Sequence, residues 1–295
     1  MNNYKWLNNV WFIILAVIIP LAASAQKQPQ VQEISMRAPD NVKVDGKMNE
    51  WPSPFLSPQK TDGYLNAYNS SSRVFYTVAN DDNNLYFVIR GLGSGVANKM
   101  LAGGLVITIS HLIDHKRTKA ADNVTITFPV PQDVKTTGMI LSTIATAGEL
   151  VDEDSVANRK QIDSIGGIAN KQMNNVMKEI WVVGVKEIPD SVVSIYNTMG
   201  IKAAAQFIKR QPIVELAIPL KYLNLDINNP VKFSYNIRLN VRTNDNPRNI
   251  REDAPSPQVL MTSVDVGTMH ASNPGTMFML APTDFWGLYT LVKKP

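Results

Sequence analysis

Two β-rich runs joined by a polar turn constrain this chain more than any other feature. Val74-Phe75-Tyr76-Thr77-Val78 and Leu85-Tyr86-Phe87-Val88-Ile89 consist of β-branched, aromatic and aliphatic residues, which suit a pleated, half-buried surface. Between them Asn80-Asp81-Asp82-Asn83-Asn84 offers side chains that bond their own backbone and tolerate left-handed conformations. The pattern predicts a β-hairpin, and everything else has to pack against it.

More strands of the same kind follow. Val42-Lys43-Val44 alternates into the Asp45-Gly46 turn, and Leu105 to Ile109 and Val124 to Val130 read as strands. Pro129 and Pro131 close the second of these, because proline donates nothing to a ladder. Ile180 to Val185, Ile213 to Ile218 and Phe285 to Leu291 add further strands, and Leu220 to Leu225 reads as a helical turn. From Val231 to Val241 the apolar side chains Phe233, Tyr235, Ile237, Leu239 and Val241 share one face. Ile201 to Ile208, around Ala203-Ala204-Ala205, is expected as a short helix. Residues 133–179 carry acidic Glu149 to Asp154, Gly166-Gly167 and an Asn/Gln/Met/Lys stretch, and read as an insertion with short helices. Helices are too few for βαβ alternation. The expected fold is therefore mainly β, an antiparallel two-sheet sandwich of jelly-roll type, forming a single domain over 40–295. No internal repeat or coiled-coil heptad is present.

The N-terminus reads as an export signal. Lys5 supplies a positive charge, Val10 to Leu21 an apolar run, and Ala23-Ser24-Ala25 a small-x-small cleavage pattern, so the mature chain is expected to begin at Gln26. The rival is a retained anchor, but the apolar run is shorter than the ~20 residues a spanning helix needs. Residues 26–39, rich in Gln, read as a flexible leader. With no cysteine, the lipoprotein route, disulfides, thiol catalysis and Cys-ligated metals are all closed. These features predict a periplasmic or extracellular protein. The net charge of +4 is mild, and the densest basic cluster, His115-Lys116-Arg117-Thr118-Lys119, reads as a solvated loop rather than a nucleic-acid patch.

Val44-Asp45-Gly46-Lys47-Met48-Asn49-Glu50-Trp51-Pro52 resembles the opening signature of the family 9 carbohydrate-binding modules and their DOMON-like relatives. Val74 to Ile89 resembles that family's second hairpin, and Glu215-Leu216-Ala217-Ile218-Pro219-Leu220 its later strand. The matches cover 40–92 and 210–291, in the family's order, with the middle poorly matched. Asp45, Gly46, Glu50 and Trp51 are expected to be structural. Asp45-Gly46 makes a tight turn, Glu50 is placed to accept backbone donors near it, and Trp51 is expected to plug the open end of the core. The resemblance implies sugar binding by aromatic stacking and hydrogen bonds, with Tyr64, Tyr68, Trp181 and Trp286 as the candidate aromatics. It also leaves open calcium, for which Asp81 and Asp82 are candidate ligands, and a haem-binding relative with an axial Met or His.

Catalytic signals are weak. His111-Leu112-Ile113-Asp114-His115 approximates a zinc-peptidase string, but that chemistry needs a helix and here the string leaves a strand. Gly91-Leu92-Gly93-Ser94-Gly95 lacks the Lys-Ser/Thr of a phosphate loop and reads as a flexible loop. Asp152-Glu153-Asp154 has no apolar neighbours to shift a pKa. Asp154-Ser155-Val156, Asp163-Ser164-Ile165 and Asp190-Ser191-Val192 resemble a short O-glycosylation pattern of exported Bacteroidota proteins. The expectation is a non-catalytic module that binds a glycan, the alternative being an envelope structural or assembly protein that binds another protein.

Overall fold

The computed structural model describes residues 29–51, 65–114, 118, 120–148, 155–188, 191–241, 278–279 and 281–294. The residues read as an export signal, Tyr64, His115 and the polar stretch after Val241 lie outside them.

The strands are β1 (Ala67–Asn69), β2 (Val74–Asn80), β3 (Asn84–Gly91), β4 (Leu105–Ser110), β5 (Val124–Thr127), β6 (Glu179–Val183), β7 (Val192–Ser194), β8 (Lys202–Ile208), β9 (Gln211–Pro219), β10 (Lys232–Leu239) and β11 (Thr283–Thr290). They form a five-stranded sheet in the order β1-β2-β3-β9-β8 and a six-stranded sheet in the order β11-β10-β4-β5-β6-β7. Every pairing between neighbours is antiparallel. The expected sandwich is the observed one. In the β2–β3 turn, Asp81 Oδ1 accepts the backbone N–H groups of Asn83 at 2.7 Å and Asn84 at 2.6 Å, while its Oδ2 accepts the Tyr86 hydroxyl at 2.6 Å.

Alternate residues of both sheets meet in the main core. Tyr76 and Phe87 from one sheet pack on Tyr235 of the other, with the Tyr76 and Tyr235 hydroxyls 3.2 Å apart. A second, smaller core lies on the outside of the five-stranded sheet. There Phe75, Ala79, Tyr86, Val88 and Ala217 are covered by Trp51, Leu65 and Ala38, with Val42, Val44 and Met48 packed around them. Strands β2 and β3 are therefore buried on both faces.

Two stretches differ from expectation. Residues 202–208 form edge strand β8, not a helix. The alanines lowered the apparent β-propensity, but Ile201, Ala203, Ala205 and Phe207 alternate onto the main core with a period of two. The insertion is a pair of substantial helices, α2 (Val134–Gly148) and α3 (Val156–Val176), which pack on each other. Ile140, Ile144, Ala147, Ile165, Ala169 and Met173 carry the pair into the main core. The Asn170 carboxamide of α3 exchanges two bonds with the backbone of Phe207, at 2.6 and 3.1 Å, covering part of the β8 edge. The glycine-rich stretch after β3 opens a short helix, α1 (Ser94–Asn98), continued by a π-helical turn, Lys99–Gly103.

The leader is also docked from Pro29 onward. Gln32, buried, donates from Nε2 to the Val78 carbonyl and accepts the Val78 N–H at Oε1, both at 2.8 Å, imitating a neighbouring strand. Met36 and Ala38 bond the backbone of Asn80, while Ser35 Oγ accepts the N–H of Thr290 on β11. Asn80, fully buried, accepts the Val292 N–H at 2.8 Å and donates to the Val292 carbonyl at 3.0 Å. The segment thus seals the side of the sandwich where β2 and β11, from different sheets, would each expose an edge. Gln32→Ala is expected to leave the buried Val78 N–H and carbonyl unpaired and to cost about 2 kcal/mol. Guanidinium denaturation of the chain 26–295 measures this, and an unchanged midpoint would show that the segment is not coupled to the fold.

Candidate functional site

The Asp-Gly motif has a buried carboxylate behind it. Glu215 on β9 is 2% exposed. Its Oε2 accepts the N–H groups of Asp45 at 2.9 Å and Gly46 at 2.8 Å, and its Oε1 that of Met48 at 3.1 Å. Glu215, not Glu50, therefore holds the turn. Gly46 has φ +79°, and a Cβ there would lie 2.5 Å from Gln206 Cγ, so glycine is required on both counts. Trp51 is 2% exposed and meets Tyr86 edge-on, with ring centroids 6.1 Å apart. It lies on the outside of the five-stranded sheet and does not plug the end of the main core, because Glu215 draws the whole 45–51 turn onto that outer face.

The candidate aromatics are not brought together. Tyr64 lies outside the described residues. Tyr68 is half-buried in the second core, its ring tilted on Phe75 at 4.5 Å. Trp181 and Trp286 share the outward face of the six-stranded sheet, since Ile180, Val182, Phe285 and Tyr289 take the inward positions. They stand on β6 and β11, four strand spacings or roughly 19 Å apart.

A further exposed aromatic residue is Tyr196, which the sequence reading passed over because it sits in a turn after β7. It is 71% exposed, the greatest exposure among the described aromatics. Its hydroxyl accepts a bond from Lys178 Nζ at 2.9 Å, and the same ammonium lies 5.2 Å from its ring centroid. Its backbone is fixed by its N–H bonding Ser194 Oγ at 3.1 Å. Asn197, which donates to the Ser194 and Ile201 carbonyls, closes the turn. Trp181 stands opposite Val192 on β7, and Glu179 opposite Ser194, so all of these side chains face outward along β6 and β7. Val183 and Val192, both exposed, flank the indole. The indole N–H of Trp181 is buried and has no acceptor among the described residues, so Trp181 offers ring surface. Tyr196 is thus an ordered, exposed ring with the Lys178 ammonium beside it, and Trp181 stands further along the same pair of strands.

A cleft of about 470 Å3 opens at the loop end of the sandwich, with Asp82, Asn83, Asn84, Met199, Leu220 and Asp226 in its wall. It contains no aromatic residue. Asp82 is held by Arg37 at 2.7 Å, which keeps its carboxyl below the usual range, and Asp226 Oδ1 caps the N–H of Asn228. The carboxylates suggested as calcium ligands are thus engaged in the β2–β3 turn and in this ion pair. No group of three or more His, Cys, Asp or Glu suited to a metal occurs among the described residues. His111 bonds the Leu223 carbonyl through Nε2 at 3.0 Å.

Neither known protein families nor curated proteins gave a match. Among solved structures, the chain is similar to a family 9 carbohydrate-binding module from Caldicellulosiruptor kristjanssonii, solved in complex with glucose. Identity is 12% and the TM-score 0.32, over 72% of this chain and 79% of that one.

Burial raises the Glu215 pKa above 4.5, and the N–H groups of Gly46, Asp45 and Met48 only partly oppose it. The folded state then binds this proton more tightly than the unfolded state does. The stability Glu215 contributes is complete below the unfolded pKa and falls as pH rises through the folded one. Carboxyl-carbon NMR should place its midpoint above 4.5, and a midpoint at or below that value would show that the backbone donors outweigh burial.

Proposed function

We propose that this protein is an exported, non-catalytic module that binds carbohydrate on the outward face of β6 and β7. The observation that carries the reading is Tyr196, a large aromatic side chain held in one orientation while exposed to water. Such a ring loses little conformational entropy when a pyranose stacks on it. Trp181 extends the stacking surface, and Lys178, Glu179 and Ser194 supply hydrogen-bond partners for hydroxyl groups. Aromatic surface with a few fixed polar groups is the composition expected of a sugar site. The aromatic-free cleft at the loop end lacks the stacking component.

The apolar run from Val10 to Leu21, followed by Ala23-Ser24-Ala25, supports export with cleavage, to the periplasm or the exterior and without a lipid anchor. No helix among the described residues is long and apolar enough to cross a membrane. The chain recovered from the producing cell should therefore begin at Gln26.

A glycan array of residues 26–295, with and without calcium, tests the function. Tyr196→Ala and Trp181→Ala should each weaken the best ligand at least tenfold, about 1.4 kcal/mol, with unchanged stability. Tyr68→Ala should lower stability and leave affinity alone. A blank array with folded protein would sink the reading. Weight would then pass to a protein partner on the helical pair, where Val134, Met139, Val156 and Ile168 are exposed. Pull-down from envelope extracts is the test of that alternative.

A further inference from the structure

At the end of the sandwich away from the cleft, two cations share one aromatic ring. Lys99, the first residue of the π-helical turn, is 1% exposed, and its Nζ lies 3.9 Å from the Phe278 ring centroid. The Arg73 guanidinium, at the start of β2, lies 4.3 Å from the same centroid. Lys99 also donates to Thr283 Oγ1 at 3.2 Å, where β11 begins. The ion pairs found among the described residues are Arg37–Asp82 and Lys47–Asp45, so neither cation faces a carboxylate among the described residues.

A buried ammonium without a counter-charge is costly, and a second cation nearby makes it more so. Burial first, and Arg73 second, depress the Lys99 pKa to about 8. Among the described residues the compensation is the Thr283 hydroxyl oxygen and the negative π-face of Phe278, weak substitutes for an anion. The π-helical geometry, which is uncommon and concentrated at functional sites, brings Lys99 to this position. Gly103, at the end of that turn, lies so close to the Asn240 carbonyl that a Cβ would sit 2.2 Å away, so the turn cannot easily relax.

We propose that Arg73, Lys99 and Thr283 form a receptor for a compact oxyanion (a carboxylate, sulfate or phosphate), and that the Phe278 ring is the group the anion displaces. The guanidinium offers a planar pair of donors, the ammonium a point charge, and the threonine hydroxyl, already accepting from Lys99, keeps its own hydrogen to donate. The anion comes either free from solution or as the acidic group of a saccharide. The site is remote from Tyr196 and does not depend on the glycan reading.

The test follows the Lys99 ε-methylene by NMR through a pH titration of residues 26–295, in sodium chloride and in sodium sulfate at equal ionic strength. In sulfate the midpoint should rise from about 8 toward the ordinary lysine value of 10.5. The thermal midpoint should rise with sulfate in the parent, and this response should be reduced in Lys99→Met and in Arg73→Gln. Two variants are used so that one failing to fold leaves the other to decide. A uronic-acid oligosaccharide acting at lower concentration than sulfate would assign the acidic-saccharide source, and equal potency the free anion. A Lys99 midpoint unmoved by either probe, or a sulfate response equal in parent and both variants, would overturn the proposal.

Discussion

A glutamate carboxylate inside a sandwich is normally a liability, because burial disfavours its charge. Here Glu215 is surrounded by backbone N–H groups from a distant part of the chain, at Asp45, Gly46 and Met48. The bonds join residues some 170 apart in sequence, and they decide where the segment from Val42 to Trp51 lies. Once that segment is pinned over β9, Val44, Met48 and Trp51 have nowhere to go but onto Tyr86, Val88 and Ala217. Strands β2 and β3 thereby become buried on both faces.

The side of the sandwich is closed by the same economy of means. Gln32 presents its carboxamide to Val78 as a peptide group would, and Asn80 presents its own to Val292. A carboxamide has one acceptor oxygen and one donor nitrogen in the geometry of a main-chain unit, so it satisfies an edge without extending it. Tyr289 ties the two sheets further, its hydroxyl donating to the Met36 carbonyl at 2.6 Å. Both ends of the described chain are thereby locked to the sandwich.

Much of this was legible in the residues. The hairpin from Val74 to Ile89 and the strand around Tyr235 declared themselves through apolar runs and alternation, because hydrophobic pattern and turn chemistry agree there. At Ala203-Ala204-Ala205 they disagree: alanine favours helix, while Ile201 and Phe207 impose a period of two, and packing won. The two carboxylates of the motif could not be told apart from sequence. Glu50 is near Gly46 along the chain and Glu215 is near it only in space. Gln32 was hidden for a similar reason, since a polar glutamine-rich stretch reads as solvated until its partner strand is known. Trp181 stood out as a candidate because tryptophan is conspicuous, whereas Tyr196 lies in a turn with no periodicity to mark it.

What separates Tyr196 from the other aromatic side chains is the cause of its exposure. An aromatic ring left in water ordinarily gains by folding back onto apolar surface, and Tyr68 does so against Phe75. Tyr196 is prevented, because the Ser194–Asn197 turn fixes its backbone and Lys178 holds its hydroxyl outward. The restraint is electrostatic and local. Lys99 and Arg73 present the converse case at the far end of the sandwich, where a half-buried aromatic ring lies against cations that have no carboxylate among the described residues. In each place the fold holds a group against its own preference, and a ligand of the right chemistry, a sugar face at one and an oxyanion at the other, would relieve it.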